Sequence, residues 1–226
     1  MLALVILADF AALAADLSQL DLMKGIRDGR HVSLEQLRES DDRVTTAGLL
    51  QAGAYIACIV AFLIWYGRAY RNLERLGSDG LRFGKRWAIA YWFIPIGNLF
   101  RPKQVMNDIW RASDRELPVP AHHWQGNGVP ALFHWWWALW LLSSFVTNGL
   151  TRGSLDTAET AEEAVATATR FVVVDVIDVI PAVLLILIIR ATTRRQEERR
   201  SRYDRGALPQ TAAPVDPAPP PAPAPA

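Results

Sequence analysis

Two aspartates lie inside an apolar segment near the C-terminal end of the chain, where a charged side chain is unexpected. Asp175 and Asp178 interrupt the run FVVVDVIDVIPAVLLILII over residues 171–189. Because a charged side chain is costly inside a bilayer, such residues are rare there and often bind an ion or relay a proton. Their three-residue spacing puts both on one face of a helix. This pair is therefore the first candidate site.

Two further polar side chains lie within apolar runs and are able to join the pair. Gln51 falls in the run over residues 46–66, and Asp9 lies near the middle of the first run, residues 1–15. A cluster of Asp9, Gln51, Asp175 and Asp178 could bind a cation or carry protons, with at least one carboxyl protonated because it is desolvated. The simpler interpretation, which we favour, is that each aspartate points into a helical bundle or towards headgroups and hydrogen-bonds to a neighbour.

The sequence offers little else that resembles a catalytic centre. His122 and His123 are adjacent, but they lack a Cys, His or acidic partner at metal-ligand spacing. There is no nucleophile elbow, phosphate loop or HExxH motif. Cys58 is the single cysteine, which excludes an internal disulfide. We therefore predict a protein that is not an enzyme, with no catalytic residue, metal or cofactor.

Long apolar helices must position the candidate residues. Segments 46–66, 131–150 and 171–189 contain no Lys or Arg, and each has about the 20 residues that a transmembrane helix needs. A soluble domain would carry charges along the outer face of each helix. The first run lacks the basic region of a signal peptide, so we expect an uncleaved first helix. The net charge of +1 gives no indication of nucleic-acid binding.

Capping and periodicity define two further helices. Ser33 followed by Gln36 fits a capping box, which predicts one helix from about Leu34 through the second apolar run to about Leu76. Val105, Met106 and Ile109 recur at helical spacing within residues 103–115. This pattern predicts an amphipathic helix on the membrane surface; the alternative is that it packs on a soluble neighbour.

The distribution of Lys and Arg gives the orientation. Residues 190–205 carry seven, whereas residues 151–170 carry two against four acids, so we expect a cytoplasmic C-terminus and an external 151–170 loop. The segment WAIAYWFIPIGNLF, residues 87–100, is about 21 Å long as a helix, less than the roughly 30 Å hydrocarbon core. Pro95 and Gly97 interrupt it. We favour a segment that dips into the membrane and returns, although a crossing remains open.

The predicted fold is therefore all-α: a polytopic integral membrane bundle of about four transmembrane helices, with a short re-entrant or interfacial hairpin at 87–115. This helical domain covers residues 1–205. Residues 206–226 are rich in proline and alanine, a composition that cannot form a core and is typical of a disordered tail.

Several aromatic and basic motifs carry a family resemblance. The stretches FLIWYGRAYRNLERL, RWAIAYWFIPIGNLFRP and WWWALWLLSS resemble the bacterial membrane-protein family catalogued as domain of unknown function 4328. The resemblance implies a membrane architecture but no reaction, ligand or partner. The motif residues that match are Trp65, Arg68, Tyr70, Arg71, Asn72, Trp87, Trp92, Pro95, Asn98, Pro102, Trp136, Trp137 and Trp140.

Two functional hypotheses follow. The first is a non-enzymatic scaffold or interaction protein of the cytoplasmic membrane, whose tail binds an unknown protein partner. The second is a small ion- or proton-coupled transporter that uses the intramembrane aspartates. Arg68, Arg71 and Arg75, at helical spacing just after the second apolar run, could also bind anionic lipid headgroups, although ordinary anchoring explains them as well.

Overall fold

In the part of the chain that the structure describes, all the regular elements are helices, and loops join them. The computed structural model describes residues 2–151 and 160–209. It has four long helices, and three short helices lie between the second and third of these. Two 3-10 turns lie at Tyr91–Phe93 and Trp124–Gly126. The helices are α1 (Leu2–Arg27), α2 (Leu34–Arg75), α3 (Lys85–Ala90), α4 (Pro95–Asn98), α5 (Arg101–Ala112), α6 (Ala131–Thr151) and α7 (Ala161–Asp204).

Helices α2 and α7 both begin with a capping box. The Ser33 side chain accepts a hydrogen bond from the Gln36 backbone N–H, and the Gln36 side chain accepts one from the Ser33 N–H. Thr160 and Glu163 make the same reciprocal pair at the start of α7. These bonds satisfy backbone donors that have no partner within the helix. The predicted helix from Leu34 is confirmed; it ends at Arg75, one residue before the predicted end.

Helices α2 and α7 are long and apolar enough to cross a membrane. Helix α1 packs against both of them, and α6 packs against α7. Their outer faces carry large apolar side chains, such as Leu50 and Ile56 on α2 and Val176 and Ile180 on α7, each more than half exposed. An apolar belt of this extent is typical of a surface that faces lipid or another protein.

The densest packing lies at one end of the bundle, where α2 and α7 end and α6 begins. We call residues 62–141 together with 184–209 the aromatic module. Its buried core combines side chains of α2, α6 and α7 with those of the short elements between α2 and α6. The fully buried members include Tyr66, Tyr70, Leu73, Val105, Met106, Ile109, Trp124 and Ile188.

Helix α5 lies inside this core, which corrects the prediction of a helix on the membrane surface. Val105, Met106 and Ile109 have no exposed surface at all. Their face packs against α2, α3 and the Trp124 turn, so its apolar stripe is covered by protein. The alternative from the sequence was that the helix packs on a soluble neighbour. In the structure it packs on protein, and the side chains that cover it come from distant parts of the same chain.

The segment between Phe83 and Arg101 folds back on itself. It breaks into α3, the Tyr91–Phe93 turn and α4, rather than forming one helix. The Arg101 guanidinium lies 5.5 Å from the centre of the Phe83 ring and 5.8 Å from that of Tyr91. A segment that crossed a bilayer would separate its flanks by roughly 30 Å. Residues 85–100 therefore form a hairpin whose two ends meet.

Glycine and proline shape the tip of this hairpin. Pro95 occupies the first turn of α4, where its missing N–H costs no hydrogen bond. A Cβ atom at Gly97 would lie 3.2 Å from the Tyr91 ring and 3.3 Å from the Ile94 side chain, so glycine allows the close return. Phe93 and Ile96 point outwards and are 71% and 77% exposed. The tip therefore presents apolar side chains away from the protein.

Candidate functional site

The polar residues predicted within the apolar runs come together in the bundle. Gln51 Nε2 lies 3.4 Å from Asp9 Oδ1 and 3.4 Å from Asp175 Oδ1. The Gln51 amide thus joins α1 and α7 to α2. Asp178, one turn along α7 from Asp175, interacts with the Ser143 hydroxyl of α6. All four long helices therefore contribute to one polar cluster.

The sequence analysis missed a member of this cluster. Asp16 interacts electrostatically with Asp175 and is partly buried. It lies seven residues after Asp9, so the two share a face of α1, and that spacing is a signal available in the sequence. The inner oxygen of Asp175, Oδ2, is buried and has no hydrogen-bond partner among the described residues. Within residues that the structure describes, no group of His, Cys, Asp or Glu has the geometry of a metal site.

The matching motif residues are structural partners of one another. Trp65 Nε1 donates to Thr193 Oγ1 at 3.0 Å, which ties α2 to α7. Asn72 reaches Gln196 of α7 at 3.5 Å. Tyr70 fixes the start of the hairpin, because its hydroxyl donates to the Phe83 carbonyl and accepts from the Phe83 N–H.

A second group of motif residues holds the hairpin against α6. The Trp92 ring packs edge-on against Trp137 and Trp140, with ring centres 6.1 and 5.9 Å apart. Trp137 Nε1 donates to the Leu99 carbonyl at 3.2 Å. The buried Pro102 carbonyl accepts from the Tyr66 hydroxyl at 3.0 Å. These residues stabilise the fold of the aromatic module.

The remaining motif residues have different surroundings. Trp136 is buried and packs on Trp137, with ring centres 5.4 Å apart. Asn98 ends α4, and its buried side-chain oxygen has no partner in the described chain. Trp87, by contrast, is 55% exposed on the hairpin, and Arg68 and Arg71 are exposed on α2.

A buried arginine in α7 is the polar centre of the aromatic module. Arg199 has no exposed surface. Its Nη1 donates to the carbonyls of Asp114 and Leu117 at 2.6 and 3.1 Å, and its Nη2 donates to the Leu76 carbonyl at 2.9 Å. Burial lowers the pKa of the Arg199 guanidinium, and the Asp114 charge opposes that shift. One side chain of α7 thus binds both the end of α2 and the loop after α5.

Asp108 is a buried carboxyl that the sequence analysis also missed. It lies on the inner face of α5 with no exposed surface, and neither oxygen accepts a hydrogen bond from the described residues. Arg82 Nε lies 3.6 Å from Asp108 Oδ2. Burial raises the pKa of the Asp108 carboxyl to about 6, while Arg82 and Arg111 oppose the shift. Asp108 therefore titrates closer to neutral pH than an exposed aspartate.

The chain leaves the aromatic module at a fixed point. Leu208 is buried, and the Val119 N–H donates to the Pro209 carbonyl at 2.8 Å. Arg202 of α7 also pairs with Glu116 at 3.2 Å. The start of the predicted tail, residues 206–209, is therefore held against the loop after α5. Residues 210–226, which make up most of that tail, lie outside the described residues.

Comparison with known proteins places the chain in a family. The model of the family described as Domain of unknown function (DUF4328) matches residues 28–194, which contain the motif residues of the aromatic module. No curated protein and no solved structure gives a significant match. Since the family match covers most of the chain and agrees with the resemblance in its motifs, the protein belongs to the family of domain of unknown function 4328.

Proposed function

We propose that the protein is a multi-pass scaffold of the cell membrane that presents its C-terminal tail to a partner protein in the cytoplasm. The observation that carries this proposal is the anchored exit of the chain. Leu208 is buried, and Pro209 is hydrogen-bonded to Val119, so residues 210–226 start from one position on the aromatic module. A fixed starting point holds a binding segment at a defined place on the membrane protein.

Four spans are the topology in this proposal: α1, α2, α6 and α7. The hairpin at 85–100 enters the membrane only with its exposed tip, because its ends meet. The aromatic module then lies on the cytoplasmic side together with the arginine-rich end of α7, in agreement with the positive-inside rule. This arrangement is supported by the apolar belts of α2 and α7.

The tail sequence has the spacing of a proline-recognition motif. Prolines at 214, 217, 220 and 223 recur every third residue, which is the repeat of polyproline II. Aromatic-lined grooves recognise such PxxP segments, and their ligands lose little conformational entropy on binding. We therefore propose that the partner binds the tail as a polyproline II segment. The tail lies in the cytoplasm in this proposal.

Capture of partners from native membranes tests the scaffold. The bait is the full chain, and two variants accompany it: a chain ending at Pro209, and a full-length chain in which Pro214, Pro217, Pro220 and Pro223 are replaced by alanine. A partner that binds the full chain and is lost in both variants supports the proposal. If all partners bind the truncated chain equally well, the tail has no recruiting role and the proposal fails.

A second candidate function is proton- or cation-coupled transport, which the contacts of Gln51 with Asp9 and Asp175 favour. Replacing Asp175 and Asp178 by Asn preserves size and hydrogen bonding but removes the titratable carboxyls. In reconstituted vesicles, transport predicts a wild-type flux that this double variant abolishes. Asp21→Asn is the matched control, since Asp21 is an exposed aspartate of α1. Absence of wild-type flux under every imposed gradient would exclude the transporter.

A further inference from the structure

A cleft of about 470 Å³ runs between the final turns of α2 and those of α7. Arg68 and Arg75 line it on the α2 side, and Glu197 and Arg200 line it on the α7 side. Arg68 and Arg75 are seven residues apart, which is about two helical turns, so they stand on the same wall. Arg71, which the sequence grouped with them, does not line the cleft.

The base of the cleft is built from fixed contacts between the two helices. Trp65 donates to Thr193 at 3.0 Å, and Gln196 donates to the Ala69 carbonyl at 2.9 Å. Gln196 is also bonded to Asn72. These bonds set the separation of the walls, so the spacing of the arginines across the cleft is fixed by the fold.

On the α2 wall, the side chains of both arginines are free of partners in the part of the chain that the structure describes. Among the described residues, the side chains of Arg68 and Arg75 make no ion pair or hydrogen bond, whereas Arg200 Nε lies 3.6 Å from Asp204 Oδ2. A guanidinium binds phosphate or carboxylate oxygens through two parallel hydrogen bonds. The two guanidinium groups on this wall are therefore available to bind an anion.

The charges of the lining select the kind of anion. Three guanidiniums face the cleft together with the carboxylates of Glu197 and Asp204. One positive charge is left unbalanced, which suits a group with a single negative charge. A phosphodiester carries one such charge, whereas a phosphate monoester or a polyphosphate brings more and would be repelled by the two carboxylates.

We propose that this cleft binds the phosphodiester group of a membrane phospholipid. A lipid is the favoured source because the Trp65 end of the cleft adjoins the apolar belt, where Ile64 and Leu187 are 49% and 46% exposed. Acyl chains lie along these side chains while the headgroup contacts Arg68 and Arg75. The inference rests on the membrane placement in the proposed function, but it does not depend on the tail.

Native mass spectrometry of the purified full chain in neutral detergent tests the site, with dioleoyl phosphatidylglycerol as the probe and dioleoylglycerol as the lipid without phosphate. The site variant is Arg68→Gln with Arg75→Gln. The control is Arg71→Gln with Arg86→Gln, which removes the same charge from exposed residues outside the cleft. We expect the wild type and the control to retain phosphatidylglycerol but not dioleoylglycerol. The site variant should bind phosphatidylglycerol about tenfold or more weakly.

The source of the phosphodiester is tested by competition. Soluble glycerophosphoglycerol that displaces the lipid at equal concentration would support the site and identify a soluble ligand; weak competition supports the lipid. Equal losses in the site and control variants would show general charge attraction and overturn the proposal, as would no retention by the wild type. Chains truncated at Pro209 should retain the lipid unchanged, so a failure of the tail hypothesis is distinguishable from a failure of this site.

Discussion

At the scale of single residues, the aromatic module buries two charged side chains, Arg199 and Asp108, in different surroundings. Arg199 satisfies three backbone carbonyls at once. Asp108, in contrast, is buried without a hydrogen-bond donor in the described chain, and its charge is offset by the more distant guanidiniums of Arg82 and Arg111. Arg199 therefore holds separate chain segments together, whereas Asp108 makes the stability of the module depend on pH.

Replacing Arg199 by methionine should strongly destabilise the protein. The substitution leaves the carbonyls of Leu76, Asp114 and Leu117 without their donor, and a buried group that loses its partner costs about 1–3 kcal/mol. We expect a total loss of about 3 kcal/mol or more in denaturant unfolding in detergent. Arg194→Met is the control, because Arg194 is an exposed residue of the same helix. Equal effects of the two substitutions would contradict the role of Arg199.

Because Asp108 is buried, we expect the stability of the protein to fall as the pH rises. Its pKa is raised from 3.8 to about 6 by burial, so its contribution to stability is fully present below pH 3.8 and is lost as the pH rises through about 6. Asp108→Asn removes this dependence. The free energy of unfolding of the variant, relative to wild type, should therefore increase by about 2–3 kcal/mol from pH 4 to pH 7.5. A constant difference across this range would show that Asp108 is not buried as a carboxyl.

At the scale of elements, the sequence defined some boundaries well. The start of α2 was predictable because the capping signal of Ser33 and Gln36 is local, and the break at 87–100 was visible in Pro95 and Gly97. The setting of α5 was not predictable. Its covering residues, such as Tyr66 on α2 and Trp124 after α5, are far apart in sequence, so its apolar stripe had no visible neighbour.

The tryptophans illustrate the same limit. Trp65 lies at the end of one apolar run and Trp137 in the first half of another, and tryptophans near the ends of such runs are typical of an interfacial belt. In the structure both indole N–H groups bond to protein, at Thr193 and at the Leu99 carbonyl. Periodicity identifies an apolar face, but it does not distinguish lipid from a protein neighbour. The contacts of Gln51 with Asp9 and Asp175 were easier to anticipate, since polar groups within apolar runs have few alternative partners.

A pair of matched substitutions tests the setting of α5. Ile109 is fully buried, and Ile96 at the hairpin tip is 77% exposed. Ile109→Ala should cost about 3 kcal/mol of unfolding free energy in detergent, because it leaves a cavity in a packed core. Ile96→Ala should cost less than about 0.5 kcal/mol. Similarly small effects of both substitutions would contradict the burial of α5 and would support its position on the membrane surface.

At the scale of the whole molecule, two bodies are joined along α2 and α7. In the first halves of these helices, the contacts of Gln51 with Asp9 and Asp175 cross the bundle. Toward their ends, the aromatic module gathers the motif residues and fixes Pro209. The cleft between Arg68 and Arg200 lies within the module, with its Trp65 end towards the apolar bundle. In the proposed topology, the aromatic module faces the cytoplasm.

Thiol labelling in intact cells tests this claim most directly. In a Cys58→Ala background, single cysteines replace the exposed residues Asp79, Gln125 and Glu162, which lie before the hairpin, after it and at the start of α7. An impermeant reagent should label only the cysteine at 162, and all three should label after lysis. Labelling at 79 with protection at 125 would mean that residues 87–100 cross the membrane. Labelling at both 79 and 125 in intact cells, with protection at 162, would place the aromatic module outside the cell and contradict the account.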